Sequence, residues 1–144
     1  MYIQQWNSKM QDSSRYKLYR QYKNLLEPEK YLTLLTFRKH RNMFTRFRVG
    51  NLSLKVNEGR WMGIDFNQRI CPLCSKGIED KYHFLLICKY YDNLRISFIP
   101  QMYYEKPTIY KFNQLLSTSS VELLNNVCKY LYLSFELRKE HLKC

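Results

Sequence analysis

The sequence predicts a mainly α fold: a helical domain with a small β-hairpin and a central Cys3His zinc knuckle. Three observations lead there. Gly and Pro number only 4 each in 144 residues, so few positions interrupt helices. Aromatic and aliphatic residues recur every three or four positions towards both ends of the chain. Between them lies CPLCSKGIEDKYHFLLIC, which places ligand-type side chains at Cys71, Cys74, His83 and Cys88. With 45% hydrophobic and 16% aromatic residues the chain can build one core, so residues 1–144 read as a single domain.

Each element has its own signal. Residues 12–27 read as a helix, with Asp12, Ser13 or Ser14 as its cap and Tyr16, Tyr19, Tyr22 and Leu26 at helical spacing. Pro28 ends it and opens a second helix over about residues 29–48, so residues 12–48 form an N-terminal helical pair. In the second helix Leu34, Phe37, Phe44 and Phe47 mark an apolar stripe, and Gly50 stops it. Leu52, Leu54 and Val56 then alternate with polar residues, as a half-buried strand does. Asn57-Glu58-Gly59 supplies a turn and a return strand near Trp61 completes the hairpin. Hairpin and knuckle together make a middle segment, residues 50–95, whose part from Glu79 to Arg95 reads as a helix with His83 near its start. Pro100 and Pro107 bracket a loop. The C-terminal segment, 108–144, contains a last helix that starts at the capping-box spacing Ser119-Ser120-Val121-Glu122 and buries Leu124, Val127, Leu131 and Phe135.

The central run has the chemistry of a structural zinc site. Two residues separate Cys71 from Cys74, eight lead on to His83, and four more to Cys88. Thiolate and imidazole ligands suit Zn²⁺, Pro72 stiffens the knuckle, and Lys76-Gly77 lets the chain reverse. Four protein ligands close the tetrahedron, so one structural ion is expected and no catalytic one. His83 and Cys88 lie five positions apart, about 500° of α-helix rotation and therefore about 140° out of alignment. The helix must loosen at Cys88, or His83 must sit at its N-terminal edge. Cys128 reads as a core residue. Glu79-Asp80, the nearest acidic pair, reads as solvated surface.

Charge points to the partner. Lys and Arg number 24 against 12 Asp and Glu, a formal charge of +12. Three thiolates and one Zn²⁺ would leave about +11. Such a surplus favours polyanions, nucleic acid before an acidic membrane surface. No acid occurs between Glu29 and Glu58, and Arg38, Lys39, Arg41, Arg46 and Arg48 all lie in that interval. These five are the candidate nucleic-acid contacts, with Arg38, Arg41 and Arg48 on one face. An odd number of cysteines, five, and an N-terminus without an apolar leader argue against a secreted disulfide scaffold. A reducing compartment, nucleus or cytoplasm, is expected, and no run approaches a membrane span. Neither a Gly-rich phosphate loop nor a G-x-S-x-G, H-E-x-x-H or deaminase signature is present, so the chain is not expected to be an enzyme.

The order of these pieces resembles a known family. IQQW, EKYL, RFRVG, LKVNEGRW, RICPLC, IEDKYHFLLIC, YDNLR and FELRKE are similar to the C-terminal region of metazoan non-LTR retrotransposon polyproteins of the endonuclease–reverse transcriptase type. RFRVG through FLLIC is the most specific stretch. The resemblance implies that Cys71, Cys74, His83 and Cys88 are zinc ligands. It also implies a tail that assists binding of template RNA or target DNA, with a reverse transcriptase acting in trans as a candidate partner. The Y/F-x-D-D carboxylates of the polymerase are absent from the sequence. The expected function is thus non-catalytic RNA or DNA binding by a zinc-stabilised tail fragment. The alternatives are a zinc-stabilised protein-interaction module, or a retroelement relic without a selected function.

Overall fold

A computed structural model describes residues 31–50 and 52–143. The helix expected at 12–27 and the start of the second, up to residue 30, lie outside the described residues. The described chain is mainly helical. The elements are α1 (Tyr31–Leu34), α2 (Arg38–Val49), α3 (Lys55–Met62), α4 (Asp92–Phe98), α5 (Gln101–Tyr104), α6 (Ile109–Leu116) and α7 (Val121–Lys143). Short 3₁₀ turns occupy Phe66–Gln68 and Lys89–Tyr91, and a single π turn occupies His83–Ile87.

The 23-residue helix α7 is the spine, about 34 Å long at 1.5 Å per residue. Ser120 caps it, its Oγ accepting the Leu123 N–H at 3.3 Å, one residue later than the expected box. Leu124, Val127, Cys128, Leu131, Ser134, Phe135 and Arg138 recur at three- and four-residue intervals and are all buried. This stripe packs against α2 and α4. The expected apolar face of the last helix is therefore the one that builds the core. From α2 the core receives Phe44 and Phe47, both fully buried.

The second helix is not continuous. It breaks at Leu35–Phe37, so Phe37 leaves the apolar stripe and is 55% exposed, with its ring edge-on to His40. Gly50 ends α2 as expected: it adopts the left-handed φ of 75° and donates its N–H to the carbonyls of Arg46 and Phe47. Between Pro100 and Pro107 the expected loop contains the short helix α5.

The expected hairpin is absent: residues 55–62 form α3, and no named strand occurs among the described residues. Leu52 and Leu54 are buried, which accounts for the alternation. Asn57 does not turn the chain but donates from Nδ2 to the Leu52 carbonyl at 2.7 Å, folding the approach back onto the helix. Gly59 serves close packing rather than a turn. A Cβ there would fall 2.6 Å from Cγ, Cδ and Nε of Arg69. That side chain is pinned across α3 by bonds from Nε to the Ile64 carbonyl and from Nη1 to the Val56 carbonyl, each 3.0 Å.

Two buried cations sit on helix C-termini, where carbonyls are unpaired and the helix dipole is negative. Arg48 Nη1 donates to the Leu116 carbonyl at the end of α6, 2.9 Å away. Lys81 Nζ donates to the Arg48 carbonyl near the end of α2 at 2.7 Å. Burial, reinforced by the nearby Arg48 charge, pulls the Lys81 amine down to about 7. The sign follows: from about pH 7 to 10.5 the unfolded chain keeps a proton that the folded chain has shed. Stability from this group therefore rises with pH through that window and is lost as pH falls through 7. Between pH 7 and 9, denaturant titration should show wild-type stability rising relative to Lys81→Met, by at most about 1.4 kcal/mol per pH unit. Parallel curves would disprove the assignment.

Candidate metal centre

Cys71, Cys74, His83 and Cys88 converge, their ligand atoms all within 4.8 Å of one another. The sulfurs of Cys71 and Cys88 are 3.9 Å apart, and Cys74 Sγ is 3.3 Å from His83 Nε2. Zn–S bonds of ~2.3 Å at tetrahedral angles would place two sulfurs about 3.8 Å apart. A disulfide would need about 2.05 Å. The cluster thus has the size and donor set of a tetrahedral thiolate–imidazole site and can hold a metal ion. All four candidate ligands from the sequence are brought together.

The knuckle is closed by backbone pairing. Ile70 and Ile78 form an isolated antiparallel bridge, with Cys71 N–H donating to the Gly77 carbonyl at 2.8 Å and Glu79 N–H to Arg69 at 2.9 Å. β-type pairing therefore occurs around the knuckle instead of at 52–61. The chain reverses just before Lys76-Gly77, where Ser75 takes the left-handed conformation at φ 57°. The Lys76 N–H then points at Cys74 Sγ, 3.5 Å away, and stabilises charge on that sulfur. Gly77 lies under the His83 ring, where a Cβ would meet Nδ1 at 3.5 Å.

His83 and Cys88 are presented by the π turn. Cys88 N–H bonds to the His83 carbonyl, five residues back, at 2.8 Å. The wider turn takes up the extra residue that an α-helix would rotate out of line. Cys88 then leaves the helix with ψ 122°, so the expected continuous helix over 79–95 is interrupted there. Asp80 fixes the other end, its Oδ1 accepting the His83 N–H at 2.8 Å as an N-cap does.

The π register frees carbonyls that α geometry would have paired. In an α-helix the Phe84 carbonyl would accept from Cys88 and the Leu85 carbonyl from Lys89. Instead the Tyr130 hydroxyl donates to the Phe84 carbonyl at 2.7 Å, and Arg95 Nε to the Leu85 carbonyl at 2.9 Å. Arg95 Nη2 also donates to Tyr130 Oη at 3.0 Å, and Nη1 to Asp92 at 2.6 Å. The same turn drives Phe84 into the core against Phe47, Tyr91, Tyr130 and Phe135.

Glu79 ties the knuckle to the rest of the protein. It is fully buried, not the solvated acid expected from the sequence. Arg138 of α7 grips it with two bonds, Nη2 to Oε1 at 2.7 Å and Nε to Oε2 at 3.0 Å. Its Oε1 also accepts the Lys55 N–H at the start of α3 at 2.7 Å, and its Oε2 lies 3.8 Å from Cys71 Sγ.

The thiols are not equivalent. The hydrogen bond shared with Cys88 holds Cys71 well below the usual thiol range, against the opposing effect of burial. That same bond, then burial, push Cys88 up. The pair thus favours one thiolate, and ligation through both sulfurs requires a cation that displaces the Cys88 proton. Cys128 is buried in α7, its thiol pushed up to about 12 by desolvation, and it lies outside the cluster.

The candidate nucleic-acid contacts divide. Arg38, Lys39 and Arg46 are exposed on α2 and Arg41 is half-buried. Arg48 is 3% exposed, stacked over Tyr31 and bonded to Leu116, so it is withdrawn from the basic face. Arg95, Tyr130 and Arg138 support the centre without having been singled out in the sequence, and Glu79 had been read there as solvated surface. Only Asp80, three residues before His83, carried a local capping signal. Comparison with protein-family models, curated proteins and solved structures yields no match.

Tyr130→Phe removes the donor to a buried carbonyl of the π turn. It should weaken metal retention by about 1–3 kcal/mol in chelator competition. Retention equal to wild type would show that the turn holds without it.

Proposed function

We propose that this chain is a zinc-stabilised, non-catalytic nucleic-acid-binding domain. It would contact RNA or DNA phosphates through Arg38, Lys39, Arg41 and Arg46. The observation that carries the reading is the charge on α2: RKHRNMFTRFRV contains no acid, and its exposed or half-buried basic residues lie along one twelve-residue helix. Phosphate neutralisation by such a helix releases counterions and makes binding fall steeply with salt.

Zinc is the favoured metal because three thiolates and one imidazole match its ligand preference, and four protein donors leave no position for a reacting water. The ion's role is then to fix the fold. The reading accords with the resemblance to the tail of a non-LTR retrotransposon polyprotein, in which a reverse transcriptase would be the partner in trans. Among the described residues no helix is long and apolar enough to cross a membrane. Exposed Ile96, Met102 and Tyr110 favour a second reading, a protein-interaction module, which predicts binding that survives high salt.

The test has two stages. Purified protein should contain one zinc per chain and lose helical circular dichroism on chelation, and Cys74→Ser should behave like the chelated form. Arg38→Ala and Arg41→Ala should then weaken nucleic-acid binding and flatten its salt dependence at unchanged stability. Arg48→Ala should instead cost about 2–3 kcal/mol of stability. Unchanged affinity in both Arg38 and Arg41 variants would rule out the basic-face assignment.

A further inference from the structure

Beside the C-terminal end of α2, a cleft of about 210 Å³ opens between that helix and α3. Arg46, Leu52, Ser53, Glu58, Arg60 and Trp61 line it. Trp61 is 86% exposed, Met62 beside it is 73% exposed, and Phe66 is 50% exposed. An indole left this open contributes little to the core, and large apolar groups on a surface mark a contact site. The cleft is smaller than the ~300–1,000 Å³ of enclosed small-molecule sites, so it suits part of a longer ligand rather than a whole cofactor. Its charge is net positive: among the lining residues two guanidinium groups, Arg46 and Arg60, stand against one carboxylate, Glu58.

Resting on the nucleic-acid reading above, we infer that this cleft binds a single strand, with an unpaired base stacked on Trp61 and phosphates held by Arg46 and Arg60. The argument turns on geometry. A duplex hides base faces in its own stack and offers only edges and phosphates, whereas an unpaired base can stack on the flat face of the exposed Trp61 indole. Arginines on the walls of the same cleft meet the backbone that such a base carries with it. Ser53 is a further polar residue of the lining. Arg46 lies two turns after Lys39 on the same side of α2, so a strand seated on Trp61 would run on towards Lys39 and Arg38.

The experiment uses the full metal-loaded chain, with fluorescence anisotropy of a labelled oligouridylate, an oligothymidylate and a duplex of the same length. Single strands should bind more tightly than the duplex. Trp61→Ala should lose about tenfold in single-strand affinity, while Trp61→Phe keeps most of it. Arg60→Ala should lower the salt slope for single strands by about 0.7. Circular dichroism and metal content of each variant should match wild type, as expected for residues outside the core. Single-strand affinity unchanged in Trp61→Ala, or equal affinity for the duplex, overturns the inference. If Arg38→Ala and Arg41→Ala weaken binding while Trp61→Ala does not, the cleft falls and the broader nucleic-acid reading stands. If no nucleic acid binds at low salt, both fall.

Discussion

The hydrogen bond from Cys88 N–H to the His83 carbonyl decides more of this structure than any other contact. It sets a five-residue turn where an α-helix would take four, and three consequences follow. His83 and Cys88 come to face one centre, and Phe84 enters the middle of the aromatic core. The carbonyls of Phe84 and Leu85 are left needing donors from elsewhere. A buried carbonyl without a donor costs about 1–3 kcal/mol, so the turn persists only because Tyr130 and Arg95 reach it. The metal centre and the hydrophobic core thus depend on the same backbone register.

Charge is handled in a similar way throughout the interior. Among the described residues Arg48, Lys81, Arg95 and Arg138 are buried along with a single carboxylate, Glu79. Interior charges are expensive unless partners replace their water. Glu79 meets Arg138 in a two-point grip, while Arg48 and Lys81 settle on carbonyls at helix ends. Compensation is incomplete at Lys81, whose depressed basicity records the field of Arg48 and the loss of solvent. A divalent ion held by three thiolates and one imidazole would give the centre one net negative charge, which offsets part of this cationic surplus.

Much of the site was legible in the sequence because ligand chemistry is local. C-x2-C followed by His and Cys names its own residues, and the five-residue gap already demanded a departure from α geometry. Long helices were also legible, since a stripe such as Leu124, Val127, Leu131 and Phe135 repeats often enough to fix its period. Short signals failed. Leu52, Leu54 and Val56 alternate over too few residues to separate a strand from the buried approach to a helix, and Gly59 reads as a turn until Arg69 is seen lying across it. Arg48 shares its spacing with Arg38 and Arg41, and nothing local tells that Leu116, far along the chain, will claim its guanidinium. Glu79 was misjudged for the same reason, because its partner Arg138 is 59 positions away.

Tyr130 and Arg138 lie on one rigid helix, two turns apart, and each supports a different side of the metal centre. Docking of α7 and binding of an ion at the cluster would therefore be linked equilibria, and linkage is reciprocal. Whatever factor a bound ion adds to the stability of the docked helix, the docked helix adds to the affinity for the ion. Any metal affinity of this cluster would thus be a global property. A substitution anywhere along the buried stripe of α7 can be read out as a change in metal dissociation constant, without touching a ligand.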